Sequence, residues 1–528
     1  MRKCYFFKAK KLIIAVIFFT FAIELFFFAV LPSSRLKATE ETVKYRLSYE
    51  GKDNLNIRVL LRFNAIKGEK FLLQSRAEVE PFIHNLELDV EPQVDYSLEK
   101  RSNHAWVVIP KKSGLIGITY QVRNAPENGS KTLSDVSGRA FLCWGGEMFL
   151  VPMRTCKEGS SREYLVNPWE SFEIEVEAKN DIRFILPWRI CDDGKTYKVN
   201  GYEELTENFI ALGKFNVNNV SSRGLIIKVS FGEGNTFSRS SMKRICSDLR
   251  KIFFRIQNIL GEKKGDKNLS MIVLADKRSS WFLSSRNSIV LGLNGDILKD
   301  RNAYIASRAG FDLWNRFQLV AKSRSGARWF SEGISVYFPY KISVSCGLSS
   351  PDCAKREFAS IYERVIKSRE ISIKEAEQRN EVKVLQDRGA ILCALLDRRL
   401  ERLGNKSIEW LLRELAAKTK QNKKNEYTLL DIEEICENGT GKSWDRFFAE
   451  YLSRSSPPPL SEFLDTGIFK SVSLNEELNL KGSRKSFLFL LIAVLFIFSI
   501  PIIFGTYVRR AIKLDVEMPK ILPDDLDE

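Results

Sequence analysis

Apolar and polar residues alternate along the first part of the chain, from about residue 40 to residue 214. One run has apolar residues at Leu55, Ile57, Val59, Leu61 and Phe63, and another has them at Phe172, Ile174 and Val176. A period of two predicts strands that bury one face and leave the other in water. Several such runs, separated by turns rich in Gly, Asn and Pro, favour a β-sandwich.

The pattern changes after residue 215. Short apolar runs at 225–229, 270–274 and 288–293 predict buried strands, and apolar residues at helical spacing predict helices over 241–260, 302–320 and 327–340. The chain then stays helical to about residue 455. Its clearest apolar face comprises Ile391, Leu392, Leu395, Leu396, Leu400 and Leu403. Three prolines at 457–459 end this part.

Two further segments are apolar throughout and long enough to cross a bilayer as helices, residues 12–31 and 486–507. Basic residues precede the first segment and follow the second, so we expect both termini to lie in the cytoplasm. Residues 35–483 would then lie outside the cytoplasm, at a cell membrane. A cleaved signal peptide is the alternative for the first segment.

These patterns divide the chain into consecutive parts. The expected order is a cytoplasmic N-terminus (1–11), a transmembrane signal anchor (12–31), a β domain (38–214), an α/β subdomain (215–345), a helical subdomain (346–470), a second transmembrane helix (486–507) and a cytoplasmic tail (508–528). A chain of 528 residues is long enough for several folded units of this size.

The charge balance and the histidine content limit the partners and the catalytic sites that this chain can have. Lys and Arg outnumber Asp and Glu by 82 to 66, which indicates either a generally basic surface or an anionic partner such as a lipid surface, a wall polymer or nucleic acid. The two histidines are His84 and His104. The absence of histidine after residue 104 excludes a Ser-His-Asp site, a Cys-His site and a His-ligated zinc in the later domain.

Eight of the nine cysteines fall in the portion predicted to lie outside the cytoplasm. An even number there is compatible with disulfides, and Cys346 and Cys353 are the nearest pair. Buried free thiols are the alternative. Gly441-Lys442-Ser443 resembles the end of a phosphate-binding loop, but Cys436 stands where its first glycine belongs. We therefore expect no nucleotide as a partner, and we do not expect nucleic acid, because the basic residues are spread along the chain rather than clustered.

The segment from Arg308 to Gly333 carries the most specific pattern. A zinc-binding helix needs two histidines four residues apart, so that both lie on one face. Here that spacing is occupied by Arg308 and Asp312, with Ala309 after the first. A guanidinium has no lone pair for a metal. Asp312 and the later Glu332 offer oxygens to a hard ion such as Ca²⁺ or Mg²⁺, but two carboxylates beside an arginine make a weak site.

Several motifs together resemble the M61 family of peptidases, which are gluzincins similar to glycyl aminopeptidase. The matching segments are Trp281-Phe282-Leu283-Ser284-Ser285-Arg286-Asn287-Ser288 for an edge strand, Leu313-Trp314-Asn315, Trp329-Phe330-Ser331-Glu332-Gly333, Gln386-Asp387-Arg388-Gly389, Leu430-Asp431-Ile432 and Phe447-Phe448-Ala449-Glu450-Tyr451. The resemblance covers about residues 40–470. The PDZ domain usual in the family has no counterpart, and a hydrophobic segment follows instead.

The resemblance implies a multidomain α+β fold. An N-terminal β-sandwich-like domain would precede a thermolysin-like or gluzincin-like α/β and helical domain, flanked by two transmembrane helices. It also implies that the chemistry is lost, because Arg308 and Asp312 replace the two zinc histidines and Ala309 the general base. The amine-binding glutamate of the edge strand becomes Ser284, the transition-state tyrosine becomes Gln386, and Glu332 alone survives, as the third ligand.

We therefore expect a membrane-anchored pseudoenzyme without zinc or another cofactor. It would bind a peptide or protein partner outside the cytoplasm and hold to the bilayer through its two helices. Without the metal, Arg308 would lie between Asp312 and Glu332 and replace its charge. The alternatives are an active hydrolase with an unrecognised site, a structural subunit of a membrane complex, and a binder of anionic polymers.

Overall fold

The computed structural model describes residues 42–49, 57–74, 83–87, 96–102, 105–122, 140–158, 162–179, 181–233, 237–263, 267–367, 371–421, 425–459 and 462. Both hydrophobic segments, 12–31 and 486–507, lie outside these residues, as do His104 and the two predicted cytoplasmic ends. Within the described ranges, no helix combines the length and apolar character needed to cross a bilayer.

The first part of the chain is built from strands with two short helices. The strands are β1 Thr42–Tyr49, β2 Ile57–Ala65, β3 Phe71–Gln74, β4 Ile83–Glu87, β5 Tyr96–Ser102, β6 Ala105–Pro110, β7 Gly114–Val122, β8 Ala140–Trp144, β9 Val151–Glu158, β10 Arg162–Val166, β11 Ser171–Ala178, β12 Arg183–Ile185, β13 Arg189–Ile190, β14 Thr196–Asn200 and β15 Phe209–Gly213. The helices are α1 Gly145–Met148 and α2 Tyr202–Thr206.

Two of the sheets in this part pack face to face. One has the strand order β13-β14-β11-β1-β2-β7-β4 and the other has β10-β9-β3-β6-β5. Alternate residues of β2 point inward and are fully buried, and Phe63 meets Phe71 of β3 at 5.2 Å between ring centroids. Inward side chains of both sheets therefore form one core, which is the sandwich-like packing predicted from the period of two.

The next part is an α/β unit. Its sheet has the order β16-β17-β18-β20-β19, formed by β16 Phe215–Ser222, β17 Leu225–Gly232, β18 Asn268–Ala275, β19 Trp281–Ser284 and β20 Ser288–Leu293. The pairs β17–β18 and β18–β20 are parallel, and the edge strand β19 is antiparallel to β20. The amphipathic helix α3 Arg239–Leu260 connects β17 to β18, as parallel pairing requires a crossover.

The remaining elements are mainly helical. They are α4 Arg301–Phe317, β21 Val320–Ala321, α5 Arg328–Ser345, α6 Pro351–Lys367, α7 Ile373–Gln378, α8 Val382–Gly404, α9 Ile408–Gln421, β22 Glu426–Tyr427, α10 Leu429–Thr440 and α11 Asp445–Ser453. β21 and β22 pair in parallel, with Val320 opposite Glu426 and Ala321 opposite Tyr427. The described residues thus form a multidomain α+β structure.

A third sheet joins the β part to the α/β part. It has the order β12-β15-β8, and its Phe209 and Ala211 share a core with Ile272 and Val290 of the α/β sheet. Beside this core Asn208 is fully buried, and its side-chain oxygen accepts hydrogen bonds from the Asn287 backbone (2.9 Å) and the Ser288 hydroxyl (3.1 Å). The end of the β part is therefore fixed next to the start of β20, where the predicted edge-strand motif ends.

Candidate functional site

The helix α4 places the predicted metal positions together on one face. Arg308 and Asp312 are one turn apart, and Ala309 beside them is fully buried. Asp312 is 1% exposed, and Arg308 is half-buried. Thirteen residues of α4 are buried, so this helix runs through the middle of the helical layer rather than over the surface. Two residues four apart on one helical face have the spacing of a metal-binding pair, but here they are an arginine and an aspartate instead of two histidines.

Arg308 is held by aromatic rings. Its Cζ lies 5.4 Å from the centroid of the Phe282 ring on β19, within the range of a cation–π contact. Burial acts to lower the pKa of the guanidinium, but Tyr304 and Asp312 outweigh it and raise that pKa. Tyr304 in turn stacks on Tyr340 at 4.1 Å. Arg308 therefore stays charged, and its position is set by β19 and by the tyrosine pair.

The ion-pair partner of Asp312 is Arg316, not Arg308. The Arg316 guanidinium lies 3.2 Å from Asp312 Oδ2, and within the described chain no ion pair joins Arg308 to Asp312 or Glu332. The expected Arg308–carboxylate cluster is therefore wrong: the Arg308 guanidinium lies over the Phe282 ring of β19 and interacts with Tyr304. The positive charge of Arg308 still lowers the pKa of the Asp312 carboxyl.

Burial dominates the ionisation of Asp312. It raises the pKa of the carboxyl to about 6, against the lowering effects of Arg316 and Arg308, and Glu332 adds to the rise. The hydroxyl of Ser284 reaches Asp312 Oδ2 only at 3.5 Å, and Asp312 Oδ1 is buried without a hydrogen-bond partner among the described residues. Asp312 is therefore a poorly solvated carboxyl whose charge is tunable near neutral pH.

Glu332 and Gln386 meet where α5 crosses α8. The Gln386 side-chain amide donates a 3.1 Å hydrogen bond to Glu332 Oε2. Two glycines allow this crossing: a Cβ on Gly333 would lie 2.2 Å from the Gly389 carbonyl carbon, and one on Gly389 would lie 2.4 Å from the Trp329 carbonyl oxygen. The motifs at 329–333 and 386–389 are therefore one packing unit, with the two predicted functional side chains at its border.

The predicted disulfide between Cys346 and Cys353 is not formed. All eight cysteines of the described residues are free thiols. Burial raises the pKa of the Cys346 thiol to about 11, against the lowering effects of Arg255 and Lys251 on α3. Cys353 instead faces Asp300. The two thiols thus interact with different charged groups.

A cleft of about 670 Å³ opens beside Glu332. Its lining comes from α4, β21, the loop after β21, α5 and α7. It consists of Asn315, Arg316, Val320, Ala321, Lys322, Ser323, Arg324, Gly326, Arg328, Ser331, Glu332, Lys374, Glu377 and Gln378. We call it the basic cleft. Most of these residues were not predicted as a site, although the run of basic residues between Lys322 and Arg328 is visible in the sequence.

No family model matches the sequence, and no curated protein does. Among solved structures, an aminopeptidase N family protein from Idiomarina loihiensis matches with a TM-score of 0.63 and 15% identity, over 80% of this chain and 78% of that one. The chain has the fold of that protein. An M1 zinc metallopeptidase from Deinococcus radiodurans matches with a TM-score of 0.44 and 12% identity, over 80% of this chain and 95% of that one.

The side chains at the predicted metal positions are poorly suited to hold a zinc ion together. Arg308 has no lone pair for a cation, Asp312 is paired with Arg316, and Glu332 accepts from Gln386. Across the described ranges, no three side chains of His, Cys, Asp or Glu converge as ligands would. For the same reason Asp312 and Glu332 do not make the hard-ion site considered above: their carboxylates are engaged by different neighbours.

Proposed function

We propose that this chain is a non-catalytic, M61-like member of the aminopeptidase fold that binds a peptide or protein partner without hydrolysing it. The observation that carries this proposal is the environment of Arg308. A permanently charged group lies over Phe282 at the position of a metal ligand, and the neighbouring Ala309 offers no general base. No step of zinc-assisted hydrolysis can be assigned to these side chains.

The partner class follows from the geometry around this position. β19 is an edge strand, so one side of its backbone is available to an added extended segment. Ser284 on β19 lies within 3.5 Å of Asp312, whose ion-pair partner Arg316 lines the basic cleft. A peptide running along β19 would therefore reach the cleft. This continuity supports peptide binding as the function retained after the loss of catalysis.

The proposed location is the outer face of a cell membrane. The hydrophobic segments 12–31 and 486–507 would anchor the chain, and their basic flanks would keep both ends in the cytoplasm. Thiol labelling of intact cells tests this with a chain whose single cysteine is introduced at Ser349, which lies between the two segments. A membrane-impermeant reagent should label it without lysis. Labelling only after lysis would indicate the opposite orientation, with Ser349 in the cytoplasm.

Metal analysis and peptide hydrolysis test the loss of catalysis together. The purified full-length chain, in detergent and after exposure to zinc, should retain well below one equivalent of the metal. It should also leave a mixed peptide library intact, with or without chelator. Stoichiometric zinc together with chelator-sensitive cleavage would overturn the proposal in favour of an active peptidase. Cleavage that is indifferent to chelator would indicate a metal-independent hydrolase and would overturn it equally.

A further inference from the structure

The basic cleft has an excess of positive charge. Its lining includes five cationic side chains and two carboxylates. The cations are Arg316, Lys322, Arg324, Arg328 and Lys374, and the carboxylates are Glu332 and Glu377. Excess charge of one sign, concentrated in a cleft, attracts ligands of the opposite sign more strongly than the same charges spread over a convex surface.

Neighbouring groups already engage both carboxylates of the cleft. Glu332 accepts a hydrogen bond from Gln386, and Glu377 accepts one of 3.3 Å from the backbone N–H of Arg328 at the start of α5. Lys322 and Lys374 are exposed, and no ion pair is formed by either of them with a described residue. Arg316 is paired with Asp312, but Lys322 and Lys374 remain available to an anionic ligand.

The loop that carries Arg324 is held in place by hydrogen bonds. Lys322 N–H donates to the Tyr427 carbonyl at 2.8 Å, the Ser325 hydroxyl donates to the Lys322 carbonyl at 2.6 Å, and Leu429 N–H donates to the Ser325 carbonyl at 3.4 Å. Arg324 itself has a φ of 58°, a left-handed conformation that is unfavourable for a long side chain. These hydrogen bonds therefore fix the position of the Arg324 backbone at the cleft.

We propose that the basic cleft binds an acidic segment of the partner polypeptide. This inference rests on the proposed peptide-binding function and specifies its ligand. The two carboxylates of the lining disfavour a polymer with a charge on every unit, because some of its charges would lie next to Glu332 or Glu377. A peptide in which acidic and neutral residues alternate places its carboxylates against Lys322, Arg324 and Lys374 and its neutral residues elsewhere.

Fluorescence anisotropy with the full-length chain in detergent tests this proposal. The probe is a fluorescein-labelled octapeptide in which glutamate alternates with alanine, and the matched probe has glutamine in place of glutamate. The acidic probe should bind at least about tenfold more tightly than the glutamine probe at low salt, and this preference should shrink as salt is added, because exposed charge pairs are screened.

Two charge-matched triple variants locate the binding. Lys322→Gln, Arg324→Asn and Lys374→Gln remove three cations from the cleft, and Asn tolerates the left-handed backbone at the second position. The control removes the same number of exposed cations elsewhere, through Lys112→Gln, Arg239→Asn and Lys442→Gln. The cleft variant should bind the acidic probe about tenfold more weakly, whereas the control should bind it as the parent chain does.

Each other outcome counts against a defined part of the proposal. Equal binding of the two probes would overturn the preference for acidic peptides but leave peptide binding intact. Failure of both probes, and of a mixed peptide library, to bind would overturn the proposed function as well. Equally tight binding of polyphosphate, lost in the same cleft variant, would replace the acidic peptide with a general polyanion. A loss of affinity in the control variant would show that overall charge, not the cleft, is responsible.

Discussion

The side-chain amide of Gln386 donates a 3.1 Å hydrogen bond to the Glu332 carboxylate. This contact joins the first turns of α8 to those of α5. In the M61-like assignment proposed above, these two positions would correspond to a catalytic tyrosine and a metal ligand. Here the two side chains satisfy each other, so a pair of residues that resembles part of an active site acts as a bridge between two helices.

A double-mutant cycle should detect this bridge. Gln386→Ala and Glu332→Ala should each lower the free energy of unfolding, and their effects should be less than additive by about 1 kcal/mol, the typical net contribution of an intramolecular hydrogen bond. Urea unfolding of the four proteins in one fixed detergent measures the coupling. Pairing Gln386→Ala with Glu377→Ala provides the control, because Glu377 bonds to Arg328 instead. Equal coupling in both cycles would contradict the assignment.

The close crossing of α5 and α8 predicts a strong effect of a single methyl group. In Gly389→Ala the new Cβ would lie 2.4 Å from the Trp329 carbonyl oxygen, and helix backbone cannot rotate away as a side chain can. We expect a loss of about 3 kcal/mol or more in the free energy of unfolding. The change would also separate Gln386 from Glu332.

Gly310→Ala on α4 is the matched control for this variant. Its new Cβ would first meet the flexible Ile256 Cδ1, at 3.1 Å. The higher helix propensity of alanine, worth up to about 1 kcal/mol, should offset that contact, so we expect little net change. Thermal unfolding followed by tryptophan fluorescence distinguishes the two variants. Similar stabilities for both would show that the helices can move apart at little cost.

Local periodicity was sufficient to predict most of the elements near the site. The helix expected over 302–320 is observed as Arg301–Phe317, and the strand expected over 288–293 is observed as Ser288–Leu293. The reason is that a buried strand or an amphipathic helix carries its own pattern of apolar residues. The spacing of Arg308 and Asp312 on one helical face follows from the same geometry.

The partner of Asp312 could not be predicted in this way. Arginines stand four residues before it and four after it, at Arg308 and Arg316, and helical geometry alone places both within reach. Phe282, on β19, decides which arginine pairs with Asp312, because its ring makes a cation–π contact with Arg308. Phe282 is distant from Arg308 in the sequence. The basic cleft was missed for a similar reason, since Lys374 joins Lys322 only through the packing of α7.

The ionisation of Asp312 predicts a defined pH dependence of stability. The pKa of this carboxyl is about 6 in the folded chain and near its ordinary value of 3.8 in the unfolded chain, so between these values the folded state binds more protons. Stability contributed by this group is thus greatest below pH 4 and falls as pH rises to about 6. The difference is roughly 3 kcal/mol, from about two pKa units.

Asp312→Asn should remove this dependence. Relative to the parent chain, the variant should be more stable above pH 6 and nearly unchanged at pH 4, as measured by urea midpoints across this range. Asp431→Asn is a control of opposite sign: partial burial acts to raise the pKa of Asp431, but Lys418 and Thr428 together outweigh it and lower that pKa. That variant should lose stability above pH 4. A parent-like pH profile in Asp312→Asn would exclude Asp312 as the responsible group.

If the fold retains the frame of a metal site, two substitutions should restore metal binding. Arg308→His and Asp312→His place two imidazoles on one face of α4 at the spacing that zinc requires, with Glu332 as the third ligand. We expect the double variant to take up about one equivalent of Co²⁺ and to show the visible absorption of a four-coordinate site, which needs three protein ligands and water. The parent chain should take up none.

The third ligand provides the control for this variant. Adding Glu332→Ala to the double variant should abolish the absorption, whereas adding Glu377→Ala should leave it unchanged, because Glu377 lies in the same cleft but bonds to the start of α5. Ala309 is kept in every variant, so no general base is restored and peptide hydrolysis should remain absent while metal is bound. Metal uptake that survives Glu332→Ala would place the ion elsewhere. No uptake by the double variant would mean that the positions of α4 and α5 are no longer those of a metal site.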